Sequence, residues 1–272
     1  MSLNASLLAF VILVISAAPN LSIAAEENSV SKPSFVFVHG TFQWGGQWNA
    51  LSSLLQSEGL TVHSPSMTGL GEREHLLSKQ VGLSTHIADI SNYITWLDIQ
   101  NVILVAHSYG GAVITGVADE LGDRIAHVVY IDTVPLNHGE NLLDAFGPEV
   151  KSIAQQSVEE SGDGWLIAAD ALRDPAPTMR SHPWKTYTDR IDLTGVPPES
   201  GTIIVATENA ETFGYMRQKE APLRARKRGW NIFTIEGPHP LQESSPSKEE
   251  VAKVLIGVAR ELEQGSAEPL KL

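Results

Sequence analysis

Residues 34–38, Ser-Phe-Val-Phe-Val, form a short and nearly continuous apolar run. A run of that kind predicts a strand buried on both faces, as in a parallel sheet. Gly40, Gly45 and Gly46 mark the loop behind it. Trp48, Leu51, Leu54 and Leu55 then recur at helical spacing until Gly59 stops them. The alternation continues along the chain. Residues 60–63 predict a second strand, and Ile87, Ile90, Ile94 and Leu97 mark one face of a helix. Residues 102–106 predict a third strand, 110–121 a helix and 125–131 a fourth strand. Further on, strands at 202–206 and 230–235 flank a helix over 210–228. Val251, Val254, Leu255 and Val258 give a closing amphipathic helix. Strands alternating with helices of this length imply an α/β fold with a mainly parallel central sheet flanked by helices.

Residues 133–196 interrupt the pattern. They carry no strong β run, yet they are too many for a plain loop in a compact domain. Trp165, Met179, Trp184 and Tyr187 fall within them, and the stretch reads as a small helical cap insertion over the sheet. The domain then spans 33–264, and 265–272 read as a frayed tail. At the other end, residues 1–25 carry no charge. An apolar run over 7–18 is broken by Pro19-Asn20, and small residues at 22–25 precede Glu26-Glu27. This is the layout of a secretory signal peptide. The run is shorter than the ~20 residues of a membrane span. The expected mature chain is secreted or periplasmic, with no stable membrane association after cleavage.

Composition narrows the function. The chain has 272 residues, 42% of them hydrophobic, enough for one large core. The absence of cysteine excludes a disulfide framework, a thiolate metal site and a cysteine nucleophile. A net charge of −13 speaks against a nucleic-acid partner. The dense basic run Arg224, Arg226, Lys227, Arg228 reads as a solvated helix end. Oligomeric state is not legible.

The sharpest motif is Val105-Ala106-His107-Ser108-Tyr109-Gly110-Gly111, where the third strand meets its helix. Small residues two before and two after a serine permit a tight strand-to-helix turn. That turn lifts the hydroxyl above the sheet, at the positive end of a helix. The first position of the G-x-S-x-G pattern is Ala106 here. Among nine histidines, His239 in Glu236-Gly237-Pro238-His239-Pro240 follows a late strand and precedes the last helix, where a base can lie over the sheet edge. His39 reads as a loop-structure residue, and His107 as pointing away from the serine. An oxyanion hole needs two converging backbone N–H groups. Tyr109, after the serine, and Thr41, after His39-Gly40, are the candidates.

These residues carry a resemblance. The segment 35–262 resembles proteins of the α/β-hydrolase fold, with His39-Gly40, the 106–110 turn and His239 in that fold's chain order. Within the fold it is most similar to the small carboxylesterases related to plant hydroxynitrile lyases and methyl esterases. Trp44 and Trp48 after His39-Gly40, and Tyr130-Ile131-Asp132 followed by Pro135 and Gly139-Glu140, carry that similarity. The resemblance implies a Ser–His–acid triad. The fold's usual acid position, after the strand preceding that of the histidine, reads Ala206-Thr207-Glu208-Asn209-Ala210-Glu211. Lyase-like relatives place aspartate nearest Ala210, so Glu208 and Glu211 are candidates. Asp132 is the favoured one, because it closes an apolar strand where an unpartnered carboxylate would be costly.

The expected activity is hydrolysis of a carboxylic ester or lactone of a small to medium hydrophobic substrate through an acyl-serine, with no metal or cofactor. Phe42 and Trp44 are expected at the rim of the substrate site, with Trp165 and Trp184 in its roof. Cyanohydrin cleavage is the first alternative. The resemblance disfavours it, since the lyases carry threonine where Gly40 stands and lysine where Pro240 stands. A non-catalytic ligand-binding protein on the same scaffold is the other. Mass spectrometry of protein from the native host should find the mature N-terminus near Ala25 or Glu26. An intact Met1 on membrane-bound protein would overturn the secretory reading.

Overall fold

The computed structural model describes residues 32–169, 176–196, 198–208 and 210–265. The expected signal segment at 1–25 and the tail beyond residue 265 lie outside them. Among the described residues the central sheet has six strands: β1 (Ser34–Val38), β2 (Thr61–His63), β3 (Val102–His107), β4 (Ile125–Ile131), β7 (Gly201–Ala206) and β8 (Asn231–Ile235). All five pairings are parallel, in the order β2-β1-β3-β4-β7-β8. The helices are α1 (Asn49–Ser57), α2 (Leu83–Trp96), α3 (Gly110–Glu120), α4 (Leu142–Phe146), α5 (Pro148–Glu160), α6 (Lys185–Thr188), α7 (Ala210–Tyr215), α8 (Ala221–Arg228) and α9 (Ser247–Gln264). Among the described residues no helix is long and apolar enough to cross a membrane.

The apolar strands are explained by burial on both faces. Phe35, Phe37, Ile103, Val105, Val129, Ile131 and Ile204 pack with Trp48 just before α1, with Leu51 and Leu55 of α1, and with Val251, Leu255 and Val258 of α9. The alternate residues, Val36, Val38, Leu104, Ala106, Val128, Tyr130 and Ile203, pack with Ile90 and Ile94 of α2, Val113 and Val117 of α3, and Ala225 of α8. The period-two geometry of a strand divides one apolar run between two cores. The chain enters at β1, steps out to β2, then crosses back to β3. The strand order therefore reverses between β1 and β3, and a crevice opens above their C-terminal ends.

Three features differ from the sequence reading. The insertion holds helices α4, α5 and α6, but also an antiparallel pair, β5 (Leu166–Ile167) with β6 (His182–Pro183). Two residues per strand are too few to show a period. The predicted helix over 210–228 is three pieces, with a π turn at Met216–Glu220 between α7 and α8. Pro222 lies in the first turn of α8, where it supplies no N–H to an unbroken α-helical ladder. Arg224 is not solvated. It is buried in ion pairs with Glu140 and Glu220.

Five histidines are buried: His39, His86, His107, His127 and His182. Burial pushes His39 down to about 3 and His127 to about 4, and it lowers His86, His107 and His182 as well. His182 has no hydrogen-bond partner at either ring nitrogen among the described residues. In the unfolded chain each would titrate near ~6.5. The unfolded state therefore takes up protons first as pH falls, and stability present above that value is lost below it. Each such group contributes about 1.4 kcal/mol per pH unit between its unfolded and folded values. Thermal melts should show a steep loss between pH 6.5 and 4.5, and His182→Phe should make it shallower.

Candidate active site

Ser108 sits between β3 and α3 with φ at 53°. Its N–H donates to the Ile131 carbonyl at 3.2 Å, which pins the turn to the neighbouring strand. The turn has no room for side chains behind it. A Cβ on Gly110 would lie 2.6 Å from the Val38 carbonyl oxygen, and one on Gly111 would lie 2.5 Å from Thr133 Oγ1.

Ser108 Oγ lies 2.9 Å from His239 Nε2, and His239 Nδ1 lies 2.5 Å from Asp132 Oδ2. A carboxylate can only accept, so Nδ1 carries the hydrogen and Nε2 is left to accept from the serine hydroxyl. Asp132 follows β4 and is fully buried, with φ at 47°. Its N–H donates to the Ile204 carbonyl at 2.6 Å, and its Oδ1 accepts from the Ala206 N–H at 3.0 Å. Oδ1 also accepts from Arg217 Nε at 2.8 Å, and Arg217 Nη2 donates to Oδ2. Burial raises the proton affinity of this carboxyl, but the hydrogen bonds and charges of His239 and Arg217 outweigh it and hold the group below the ordinary carboxylate value. Glu208 and Glu211 are exposed, and neither side chain bonds His239. Glu208 takes part through its backbone, its carbonyl accepting from Arg217 Nη1.

His107 is directed at His239. Its Nε2–H donates to the His239 carbonyl at 3.0 Å, and the two rings lie 4.5 Å apart. Gln47 links the surrounding loops. Its Oε1 accepts from the Gly40 N–H at 3.1 Å and its Nε2 donates to Glu243 at 2.7 Å. His39 accepts from the Met67 N–H at 3.1 Å and holds the loop after β2. Gly40 and Thr41 pass beside the serine, since a Cβ on Gly40 would stand 3.3 Å from Ser108 Cβ. Among the described residues neither the Thr41 nor the Tyr109 backbone N–H has a protein acceptor.

A cavity of about 540 Å³ opens over Ser108 and His239. Phe42, Met179 and Tyr187 line it, together with Phe146, Val150, Ile153, Ile167 and Phe213, which sequence reading had not assigned. An apolar stripe at Val150, Ile153 and Ala154 on α5 was the available signal. Three expected residues are elsewhere. Trp44 is folded against its own loop, filling the space that a Cβ on Gly46 or Gly71 would need. Trp165 lies beneath Lys79 Nζ, 5.8 Å from the ring centroid. Trp184 stands one layer back, stacked on Tyr187 at 6.1 Å.

Sheet order, serine turn and the position of the histidine define an α/β hydrolase. The sequence profile of the alpha/beta hydrolase family matches residues 35–253, and the chain belongs to that family. It is 41% identical over 123 residues to a carbendazim hydrolyzing esterase of Nocardioides sp. (strain SG-4G), covering 44% of this chain and 51% of that protein. To putative methylesterase 11 of Arabidopsis thaliana it is 28% identical over 113 residues, 41% of this chain and 29% of that one. The matches thus span about half or less of these relatives' lengths. An extracellular alpha/beta-hydrolase from a Paenibacillus species has the same fold, with a TM-score of 0.64 at 24% identity over 82% of this chain and 98% of that one.

Gly40 offers a direct probe of the site's packing. A Cβ there would stand 2.9 Å from His107 Nδ1, so Gly40→Thr must displace His107 and the His239 carbonyl it holds. Denaturant unfolding should show a loss of about 1–3 kcal/mol, typical of overpacking.

Proposed function

We propose that this protein is a carboxylesterase-type serine hydrolase that cleaves an ester or lactone of a small to medium hydrophobic substrate. The observation that carries the reading is the continuous hydrogen-bonded line from Asp132 through His239 to Ser108, ending at a largely apolar cavity. The esterase relatives support it. Ser108 Oγ attacks the carbonyl carbon as its proton passes to His239 Nε2, and buried Asp132 stabilises the imidazolium. The Thr41 and Tyr109 N–H groups receive the oxyanion. The imidazolium then gives its proton to the departing alcohol oxygen, leaving an acyl-serine. Water, deprotonated by the same nitrogen, releases the acid and restores the serine. No step calls for a metal or cofactor. Export to the periplasm or medium, as the segment 1–25 suggests, is part of the same proposal.

An ester panel varying acyl and alcohol parts independently would define the substrate. With an active ester in hand, Ser108→Ala should lose at least ~10³-fold in kcat, and adding His239→Ala should cost little more, because the two act as a unit. Asp132→Asn should lower kcat by about 10³- to 10⁴-fold through the wrong imidazole tautomer, while Glu208→Gln stays near wild type. Additive losses for Ser108 and His239, or the reverse ranking of the two acids, would refute the assignment. Ligand binding with no turnover and no labelling by a serine-directed phosphonate would mark a receptor.

A further inference from the structure

Phe213 and Arg217 lie four residues apart, on α7 and the π turn behind it, and both face the residues that turn on Ser108. Phe213 stacks on the His239 imidazole, with ring centroids 4.0 Å apart and planes inclined by 14°. Arg217 grips Asp132 with two arms, Nε on Oδ1 and Nη2 on Oδ2, while Nη1 donates to the Glu208 carbonyl. The guanidinium carbon stands 5.3 Å from the Phe213 ring centroid, so the two side chains brace each other. The ion pair is dry, with side chains 6% and 0% exposed.

A buried ion pair is a poor source of stability by itself, since desolvation can exceed the attraction. This one has a geometric effect instead. With Oδ1 held by Ala206 N and Arg217 Nε, and Oδ2 shared between Arg217 Nη2 and His239 Nδ1, the carboxylate cannot rotate. The stacked Phe213 ring holds the imidazole on its cavity side, and His107 Nε2 fixes the backbone behind it. Resting on the serine-hydrolase reading above, we propose that Arg217 is a positioning residue. With Phe213 it forms a clamp on α7 and its π turn that fixes Asp132 against His239, and its charge sets where the acid limb of the rate profile falls. The charge acts because Arg217 and the imidazolium formed during catalysis share one carboxylate. The ionisable groups packed around His239 are Asp132 from the end of β4, Arg217 from the π turn, His107 from β3 and, through Gln47, Glu243 of its own loop. Arg217 is the permanent cation among them.

The test compares Arg217→Lys and Arg217→Met in the full chain, against an ester the wild type turns over. Arg217→Lys keeps the charge and loses the two-armed grip. It should lose about 10-fold or more in kcat with KM within about 3-fold and the acid limb of kcat/KM unmoved. Arg217→Met removes the competing cation. It should lose more in kcat and move the acid limb up by about one pH unit. Unchanged kcat in Arg217→Lys, or an unmoved limb in a folded Arg217→Met, overturns the proposal. If Arg217→Met does not fold, the kcat and KM of Arg217→Lys decide. A wild type without ester turnover or phosphonate labelling is a failure of the hydrolase reading. In that case a histidine-resolved NMR titration of His239 in Arg217→Met still reads the clamp, and an unmoved curve overturns it.

Discussion

A carboxylate with no exposure to water has to be satisfied from within, and Asp132 is placed in that position by the end of β4. Its two oxygens accept four hydrogen bonds, from Ala206, from both arms of Arg217 and from His239. Each partner comes from a different part of the chain, so the charge ties β7, the π turn and the loop after β8 to β4. Leaving such a group short of partners costs several kcal/mol. The orientation of His239, and through it that of Ser108, follows from meeting that requirement.

The sheet supplies the frame in which this is possible. Because both faces of β3 and β4 are buried, their C-terminal ends cannot shift without disturbing two cores at once. Ser108 and Asp132 both leave those ends with positive φ, at 53° and 47°. Conformations of that kind persist where the surroundings over-determine them. At Ser108 the surroundings are Gly110 and Gly111, whose missing side chains let α3 close against β1 and Thr133.

Much of the fold was legible because a strand covered on both faces is apolar throughout, and 34–38, 102–106 and 125–131 are runs of that kind. Strand β5, two residues long, had no such signature. Ser108 stood out because small residues, Ala106 and Gly110, flank it at the spacing a tight turn needs, and His239 because it follows the last strand. Which acid faces that histidine is a matter of where two strand ends meet in space. Sequence left Asp132, Glu208 and Glu211 open, and the structure puts Asp132 at the imidazole. Arg217 was invisible because an arginine in a helical pattern reads as solvent-facing. Its signal was indirect, in that a buried aspartate requires a cation or several donors. Trp44, Trp165 and Trp184 show the limit of composition, since an aromatic side chain does not announce which surface it faces.

The wall of the cavity and its floor come from different stretches of chain. Phe146, Val150, Ile153, Ile167 and Met179 belong to the insertion after β4, while Ser108, His239 and Thr41 belong to loops of the sheet. The shape of the cavity and the arrangement of Ser108 and His239 are therefore separately heritable. Replacing side chains on α4, α5 and β5 changes what fits while leaving the strand ends undisturbed. A combinatorial library confined to Val150, Ile153, Ile167 and Met179 samples new cavity shapes around an unchanged line of Ser108, His239 and Asp132, a modularity open to natural divergence by the same route.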